Sequence, residues 1–343
     1  MATTNDLNLA TRELFIKSLV DQVYFKTPFI EELQRRNQIT HSSGKYVEEL
    51  VDTDEIDDLM QEYTPNQALT DEKKDTLGKP RFTWKYGQLP LRYGVEEEME
   101  NVHAGSDIQL LNLADHLVKK GHRATKLWLM KKAFNTGSTT PVADGAVGFQ
   151  SLVSALNHDT VYGTKSRSFS GGTNDWWQGA DPAGLAEVVT SSSQDTAYNF
   201  TLGNLRKWIG ETSIAHHMEG TDDLMILCCP TLWNKLAAQM ESRLQYKEGK
   251  KQSQGIRSMI FDGHEVVSVP YLQTSSTMKT WVFILNLQYW ELRIHNQRNF
   301  NMTGFKWQGD VANGYDYWLA RIMVQGNLMC WKPNSSMFLS NIS

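Results

Sequence analysis

The stretch "GFQSLVSALNHDTVYGTKSRSFSGGTNDWWQG" runs from Gly148 to Gly179. Its second half, from Gly163, is almost all Gly, Ser, Thr, Asn and charge, which is the composition of a surface loop. Yet it closes on two adjacent indoles, Trp176 and Trp177. Consecutive side chains of an extended segment point to opposite sides, so a single lobe cannot easily bury both from a glycine-rich loop. On one reading, one ring tucks under the loop and anchors it to the body. The other reading is that a neighbouring chain covers part of the pair, and it fits the composition better. Eleven Trp, 12 Tyr and 13 Phe in 343 residues are more large rings than one core needs, and Trp and Tyr are favoured at interfaces.

Upstream of this stretch lies the longest helical pattern. Ser106 or Asp107 caps it. Ile108, Leu111, Ala114, Val118, Gly121, Thr125 and Trp128 form a near-continuous stripe, widened by Leu110, Leu113, Leu117, Ala124, Leu127 and Phe134. Gly137 is the expected stop. A helix over 106–135, about 28 residues between its caps, would run roughly 42 Å, long for a globular protein.

Before the helix, "KYVEELV" (Lys45 to Val51) and "RFTWKYGQLPLRYGVE" (Arg81 to Glu96) alternate as strands do. About thirty charged and turn-forming residues separate them, too many for a tight turn and with no core of their own. The expectation is a two-stranded arm with an elaborate tip, projecting from the body, with Tyr46, Phe82, Trp84 and Tyr86 on it. Residues 1 to about 38 read as a helical arm. Phe15 sits on its apolar stripe, and Thr27-Pro28 restarts a helix.

Downstream, Phe200 to Glu219 reads as amphipathic helix, Asp222 to Cys229 as buried strand, and Pro230 to Leu244 as helix. Ser258 to Pro270, Lys279 to Leu287 and Tyr315 to Pro333 are strand-rich. No repeat is visible, and the fold class is α+β.

Composition excludes several functions. At 40% hydrophobic and 21% charged the chain is globular, and a net charge of −5 argues against a surface that grips phosphate throughout. The opening "MATTNDLNLATRE" has no basic n-region or apolar h-region, so no signal peptide is expected. Runs such as "WVFILNL" (Trp281 to Leu287) are too short for a membrane helix. Three cysteines, Cys228 and Cys229 adjacent and Cys330 remote, fit a reducing compartment better than a disulfide framework.

Chemistry-bearing motifs are weak. There is no GxxxxGK[ST], no GxGxxG between strand and helix, no GxSxG and no HExxH. The acidic run "EELVDTDEIDD" (Glu48 to Asp58) fails the EF-hand pattern and reads as a solvated loop face or an acidic patch for a basic partner. His216 and His217 point apart on a helix; with His264 they could be imagined as a metal site, but polar helix surface plus a turn histidine is the plainer reading. Cys228-Cys229 reads as a pair of small hydrophobes in a strand. The basic segment Arg243 to Arg257 is Gly/Gln/Ser-rich and reads as a loop. No catalytic residue, cofactor or metal is expected.

The order of parts resembles the major capsid proteins of tailed bacteriophages, which have the Hong Kong ninety-seven phage capsid fold. The Gly148 to Gly179 stretch is similar to a segment many of them carry: a glycine, "SLV", a turn, an "SRS"-like step, then paired tryptophans. "LMILCCPTLWNKL" (Leu224 to Leu236), "FDGHEVVSVP" (Phe261 to Pro270) and "VQGNLMCWKPNSSMFLSNI" (Val324 to Ile342) resemble later steps of that family.

The resemblance implies an N-terminal arm over 1–39 and an extended loop over 40–98. It implies a peripheral domain over 99–184 with a spine helix at 106–135, an axial domain mainly over 185–305, and a return to the peripheral domain over 306–343. It implies a virion protein assembled in the host bacterial cytoplasm. Its partners would be itself, in the hexamers and pentamers of an icosahedral shell, together with a portal, a separate scaffolding protein and a decoration or cement protein. Packaged double-stranded DNA would be contacted non-specifically on the inner face, with no membrane. The expected subunit-interface residues are Trp176, Trp177, Tyr46, Phe82, Trp84, Tyr86, Phe15, Lys73 and Lys74. The alternatives are an encapsulin-like nanocompartment shell and a metal-dependent hydrolase built on the three histidines.

Overall fold

The structure is a computed structural model that describes residues 28–52, 59–60, 62–65, 73, 77–97, 108–134, 148–156, 161–165, 177, 179, 199–214, 224–240, 258–310 and 315–343. In chain order these form α1 (Pro28–Arg35), β1 (Ile39–Ser42), β2 (Tyr46–Glu48), β3 (Val51–Asp52), β4 (Leu77–Gly78), β5 (Arg81–Thr83), β6 (Lys85–Gly94), α2 (Ile108–Phe134) and α3 (Leu152–Leu156). The second half contributes α4 (Leu202–Ile214), β7 (Leu224–Cys228), α5 (Pro230–Met240), β8 (Ser258–Phe261), β9 (His264–Ser268), β10 (Val282–Asn286), β11 (Trp290–His295), β12 (Asn301–Met302), β13 (Lys306–Asp310), β14 (Tyr315–Cys330) and β15 (Met337–Leu339). The mixture is the α+β class expected.

Helix α1 opens on Pro28, whose missing N–H costs nothing in a first turn, and buries Phe29, Ile30 and Leu33. It stops because Asn37 turns left-handed (φ 57°). The N–H of Gln38 then reaches the Leu33 carbonyl at 2.8 Å, and that of Asn37 reaches Gln34 at 3.1 Å. The chain leaves this cap straight into β1, which lies parallel to β11.

Strand β14 organises the six-stranded sheet. Along its 16 residues it pairs antiparallel with β11, β12, β13 and, over ten positions from Gly326↔Lys85 to Tyr317↔Gly94, with β6. Helix α2 covers this sheet. Val118, Gly121, Thr125, Leu129 and Ala133 are buried at the three- and four-residue spacing of one helix face. Trp128 sets the distance of approach: a Cβ on Gly87 would stand 2.8 Å from its ring, so β6 needs glycine there for the helix to seat. The helix runs from 108 to 134, close to the span read from its stripe.

The second sheet has the order β15-β10-β7-β9-β8. Its centre, β7, is buried at every residue, which is why "LMILC" is a continuous apolar run rather than an alternating one. Helices α4 and α5 pack here through Leu205, Trp208, Leu232 and Leu236, all fully or almost fully buried.

Two divisions differ from the sequence expectation. The chain crosses into the six-stranded sheet at Trp290, not after residue 305, because β11 finds its partners in β1 and β14. Near the end, Met337–Leu339 goes back to the five-stranded sheet, pairing with β10. The ribbon is also shorter than expected. It consists of β2 with β5 and β3 with β4, in the register Tyr46↔Thr83 to Asp52↔Leu77. Beyond Trp84 the ring-rich strand belongs to the main sheet, so Tyr86 is a sheet residue. Alternation marks a strand without saying which strand it will join.

Candidate assembly interface

The ribbon grows from a cluster that joins four separate parts of the chain. Trp177 is fully buried; its Nε1 donates to the Tyr162 carbonyl at 2.6 Å, and its ring lies 5.4 Å from the Tyr162 ring. The Tyr162 hydroxyl accepts from the backbone N–H of Cys330 at 2.9 Å, at the end of β14. Phe82 of the ribbon meets Tyr162 edge-on at 4.9 Å and Trp331 at 5.5 Å. These T-shaped contacts are the arrangement the ring quadrupoles favour.

Gly163 makes the join possible. Its φ is +56°, and a Cβ there would sit 2.7 Å from the Phe82 ring. Its carbonyl also accepts from the Arg81 backbone at 2.8 Å, so the tight turn at Tyr162–Lys165 grips the ribbon strand directly. Asn327 closes the other side while nearly fully buried. Its Oδ1 accepts from the Gln150 backbone at 3.0 Å and its Nδ2 donates to the Thr83 carbonyl at 3.2 Å.

A charged network continues from the rings. Arg293 stacks over Trp331 at 5.3 Å, donates to Glu291 at 2.9 Å, and pairs with Glu49 of the ribbon. Glu291, itself buried, also accepts from Trp331 Nε1 at 2.8 Å and from the Thr40 hydroxyl of β1. Partial burial pulls the Arg293 guanidinium below its ordinary pKa, yet three anionic or aromatic neighbours hold it in place. On the outer side, Glu48 accepts from Lys79 and from Arg81, each at 2.5 Å. Those two cations, Lys79 first, hold its carboxyl below the usual carboxylate range. Tyr46, half-buried, lies under Arg81 at 4.7 Å and beside Lys45 at 5.2 Å.

The sequence-derived candidates therefore separate. Trp177, Phe82 and Trp84 are buried in their own chain, Trp84 donating to the Gly44 carbonyl at 2.8 Å. They hold the ribbon root and have almost no area left to give a neighbour. Trp177 is covered by its own chain, against Tyr162. Tyr86 is 61% exposed, and Lys73 is exposed on the ribbon tip. Trp176, Phe15 and Lys74 lie outside the described residues. Sequence reading missed other exposed apolar side chains on the ribbon, namely Leu50 (70%), Met60 (91%), Tyr63 (66%) and Leu77 (68%). It also missed Asn327 and Arg293. A lone Asn in the apolar run "VQGNLMC" was the available signal for the former; nothing marked the latter.

His264 is buried at the start of β9, while His216 and His217 lie outside the described residues. No group of three metal-ligating side chains occurs among the described residues. All three cysteines are buried; burial first, and the neighbouring Cys229 second, push the Cys228 thiol up, which suits a packing residue and not a nucleophile. Among the described residues no helix is long and apolar enough to cross a membrane.

No family model matches the sequence, and no curated protein matches it. Solved structures match over nearly the whole chain. The capsid asymmetric unit of cyanophage A-1(L) superposes with a TM-score of 0.61 at 12% identity, covering 89% of this chain and 90% of that one. The capsid of Myoviridae phage XM1 gives 0.52 at 12% identity over 90% and 91%, and the capsid of a native GTA particle gives 0.52 at 8% identity over 91% and 90%. A six-stranded sheet under one long helix, a second smaller sheet and a ribbon projecting from their edge is thus the tailed-phage capsid fold, and this chain has it.

Proposed function

We propose that the chain is the major capsid (head) protein of a tailed phage, a structural protein that self-assembles into the hexamers and pentamers of an icosahedral shell around double-stranded DNA. The observation that carries this reading is the ribbon. Residues 46–52 and 77–83 form a two-stranded arm whose root packs on the body; Leu50 and Leu77 are exposed on its strands, and Met60 and Tyr63 on the segment between them. An isolated two-stranded ribbon is marginal in water, and apolar patches of this kind mark protein contacts. A neighbouring subunit that receives the ribbon accounts for both.

On this reading 28–42 is the inner part of an N-terminal arm, the ribbon is the extended loop, α2 and the six-stranded sheet are the peripheral domain, and the five-stranded sheet with α4 and α5 is the axial domain. Tyr86, Tyr46 and the exposed ribbon residues meet the neighbour, whereas Trp177, Phe82 and Trp84 set the angle at which the ribbon leaves the body. A portal, a separate scaffolding protein and a decoration protein are the partners of such a shell. No catalytic step is required. Negative-stain microscopy of the purified chain tests the proposal: closed particles or rings of five and six are expected. A monodisperse monomer or dimer at all concentrations and salt conditions would overturn it.

A further inference from the structure

Trp331 is half-buried and forms a closed triad. Its Nε1 donates to one oxygen of Glu291 at 2.8 Å, while Arg293 stacks over its ring at 5.3 Å and donates to the other oxygen at 2.9 Å. On the hairpin of β13 and β14 the first two parts recur. Trp307 Nε1 donates to Asp316 Oδ1 at 2.7 Å. The ring lies across Gly309, where a Cβ would stand 1.8 Å from it. The indole is thus held with one edge tied and one face on glycine, yet it is 55% exposed. A single exposed ring is ordinary, but a fixed one has already lost the freedom that binding would cost it. Asp316 is exposed as well, and among the described residues no cation stacks on Trp307 or pairs with Asp316.

From this incomplete triad we infer that Trp307 and Asp316 form a socket for an arginine of a second copy of this chain, and that Arg321 is that arginine. The inference rests on the shell reading proposed above and adds a contact away from the ribbon. Arg321 is exposed, and among the described residues its guanidinium meets neither an acid nor a ring. Its neighbour Arg92 is already stacked over Tyr317 at 4.7 Å. Trp307 stands opposite Trp318 in the register. Arg321 lies three residues further along β14, so socket and arginine point to opposite faces of the sheet. One chain cannot join the two, but copies can join them head to tail, in the kind of contact that builds rings where the rotation closes. A guanidinium suits the socket better than an ammonium, because its plane lies flat on an indole while its N–H groups reach the carboxylate. Trp and Arg are also the residues that most often carry the binding energy of protein contacts.

The test measures, by light scattering and negative-stain microscopy, the concentration at which the full-length chain first forms particles. The variants are Trp307→Ala, Asp316→Asn and Arg321→Gln, with Arg123→Gln, an exposed arginine of α2, as control. Each of the three should raise the threshold by about fivefold or more, while the urea midpoint of unassembled subunits stays at the wild-type value because all three side chains are exposed. Arg321→Lys should recover little of the loss. Asp316→Asn combined with Arg321→Gln should be no worse than either alone, since both remove one contact. An unchanged threshold for Asp316→Asn or Arg321→Gln, an equal loss in the control, or additive losses in the double variant would overturn the inference. Additive losses would assign the socket to an arginine of a different protein. Wild type keeps the two readings apart. Particles from every variant remove only this contact. If wild type forms no particles, the shell reading falls, and sedimentation of concentrated wild type and variants decides the contact on its own: the same coupling in soluble self-association sustains it, and its absence removes it.

Discussion

Trp177 Nε1 donates to the Tyr162 carbonyl at 2.6 Å, with the two rings 5.4 Å apart and the indole fully buried. Trp177 is thereby tied, through Tyr162, to the end of β14 and to the ribbon. Replacing Trp177 by Ala should lower subunit stability by about 3 to 5 kcal/mol, the usual cost of emptying a buried aromatic site. The shift of the urea midpoint of unassembled subunits measures it. Trp177→Phe should cost less, since it keeps most of the ring and loses one hydrogen bond. A normal midpoint for the alanine variant with defective particles would return Trp177 to the role of a contact residue.

Gly163→Ala should destabilise the ribbon root. The new methyl combines a positive φ with a 2.7 Å approach to Phe82, and strain of this type costs of order 1–3 kcal/mol. Adding Phe82→Leu should recover part of the loss by opening space, so the two substitutions should couple in a double-mutant cycle. Simple additivity would show that the ring is not what the methyl meets.

Joining Asp52 to Leu77 by a short Gly-rich turn removes the ribbon tip and keeps the pair that closes it. The shortened subunit should unfold at nearly the wild-type temperature, because the root contacts remain, but should form no closed particles. Wild-type particles from this variant, seen by microscopy, would mean the tip is dispensable for assembly.

Glu48 should titrate below its ordinary value of 4.5, because Lys79 and Arg81 favour the carboxylate. A depressed carboxyl pKa stabilises the folded state above the unfolded value, and that contribution disappears as pH falls through the folded value. The ribbon should therefore loosen only in acid, below about pH 4.5, and more readily in high salt. NMR titration of the Glu48 side chain checks this, and Lys79→Met should move its midpoint upward.

Particles boiled in detergent and reductant should release one band near 39.1 kDa. A lysine that attacks a neighbour's amide must be unprotonated, hence desolvated. Lys79 is instead 57% exposed and ion-paired with Glu48, and Lys73 is exposed among acidic neighbours. A ladder of covalent rings would refute this and make Lys73, Lys74 and Lys79 the positions to replace.

Local rules account for the parts of this molecule that were legible in its sequence. The stripe from Ile108 to Phe134 specified a long helix, Pro28 and Pro230 marked helix starts, and the unbroken "LMILC" marked a strand buried on both faces. Each of these follows from the periodicity of its own backbone and from which groups a helix end leaves unpaired. Pairing and direction were decided elsewhere. Nothing local tells Lys85–Gly94 to leave the ribbon and run along β14, or Trp290–His295 to cross between sheets, because a strand's alternation is blind to its partner. The partner that buries Trp177, Tyr162, lies 15 positions away, and the bond from Arg293 to Glu49 joins residues 244 positions apart. The tertiary structure decided these, since ring packing, buried charge pairs and sheet register exist only once distant segments exclude water together.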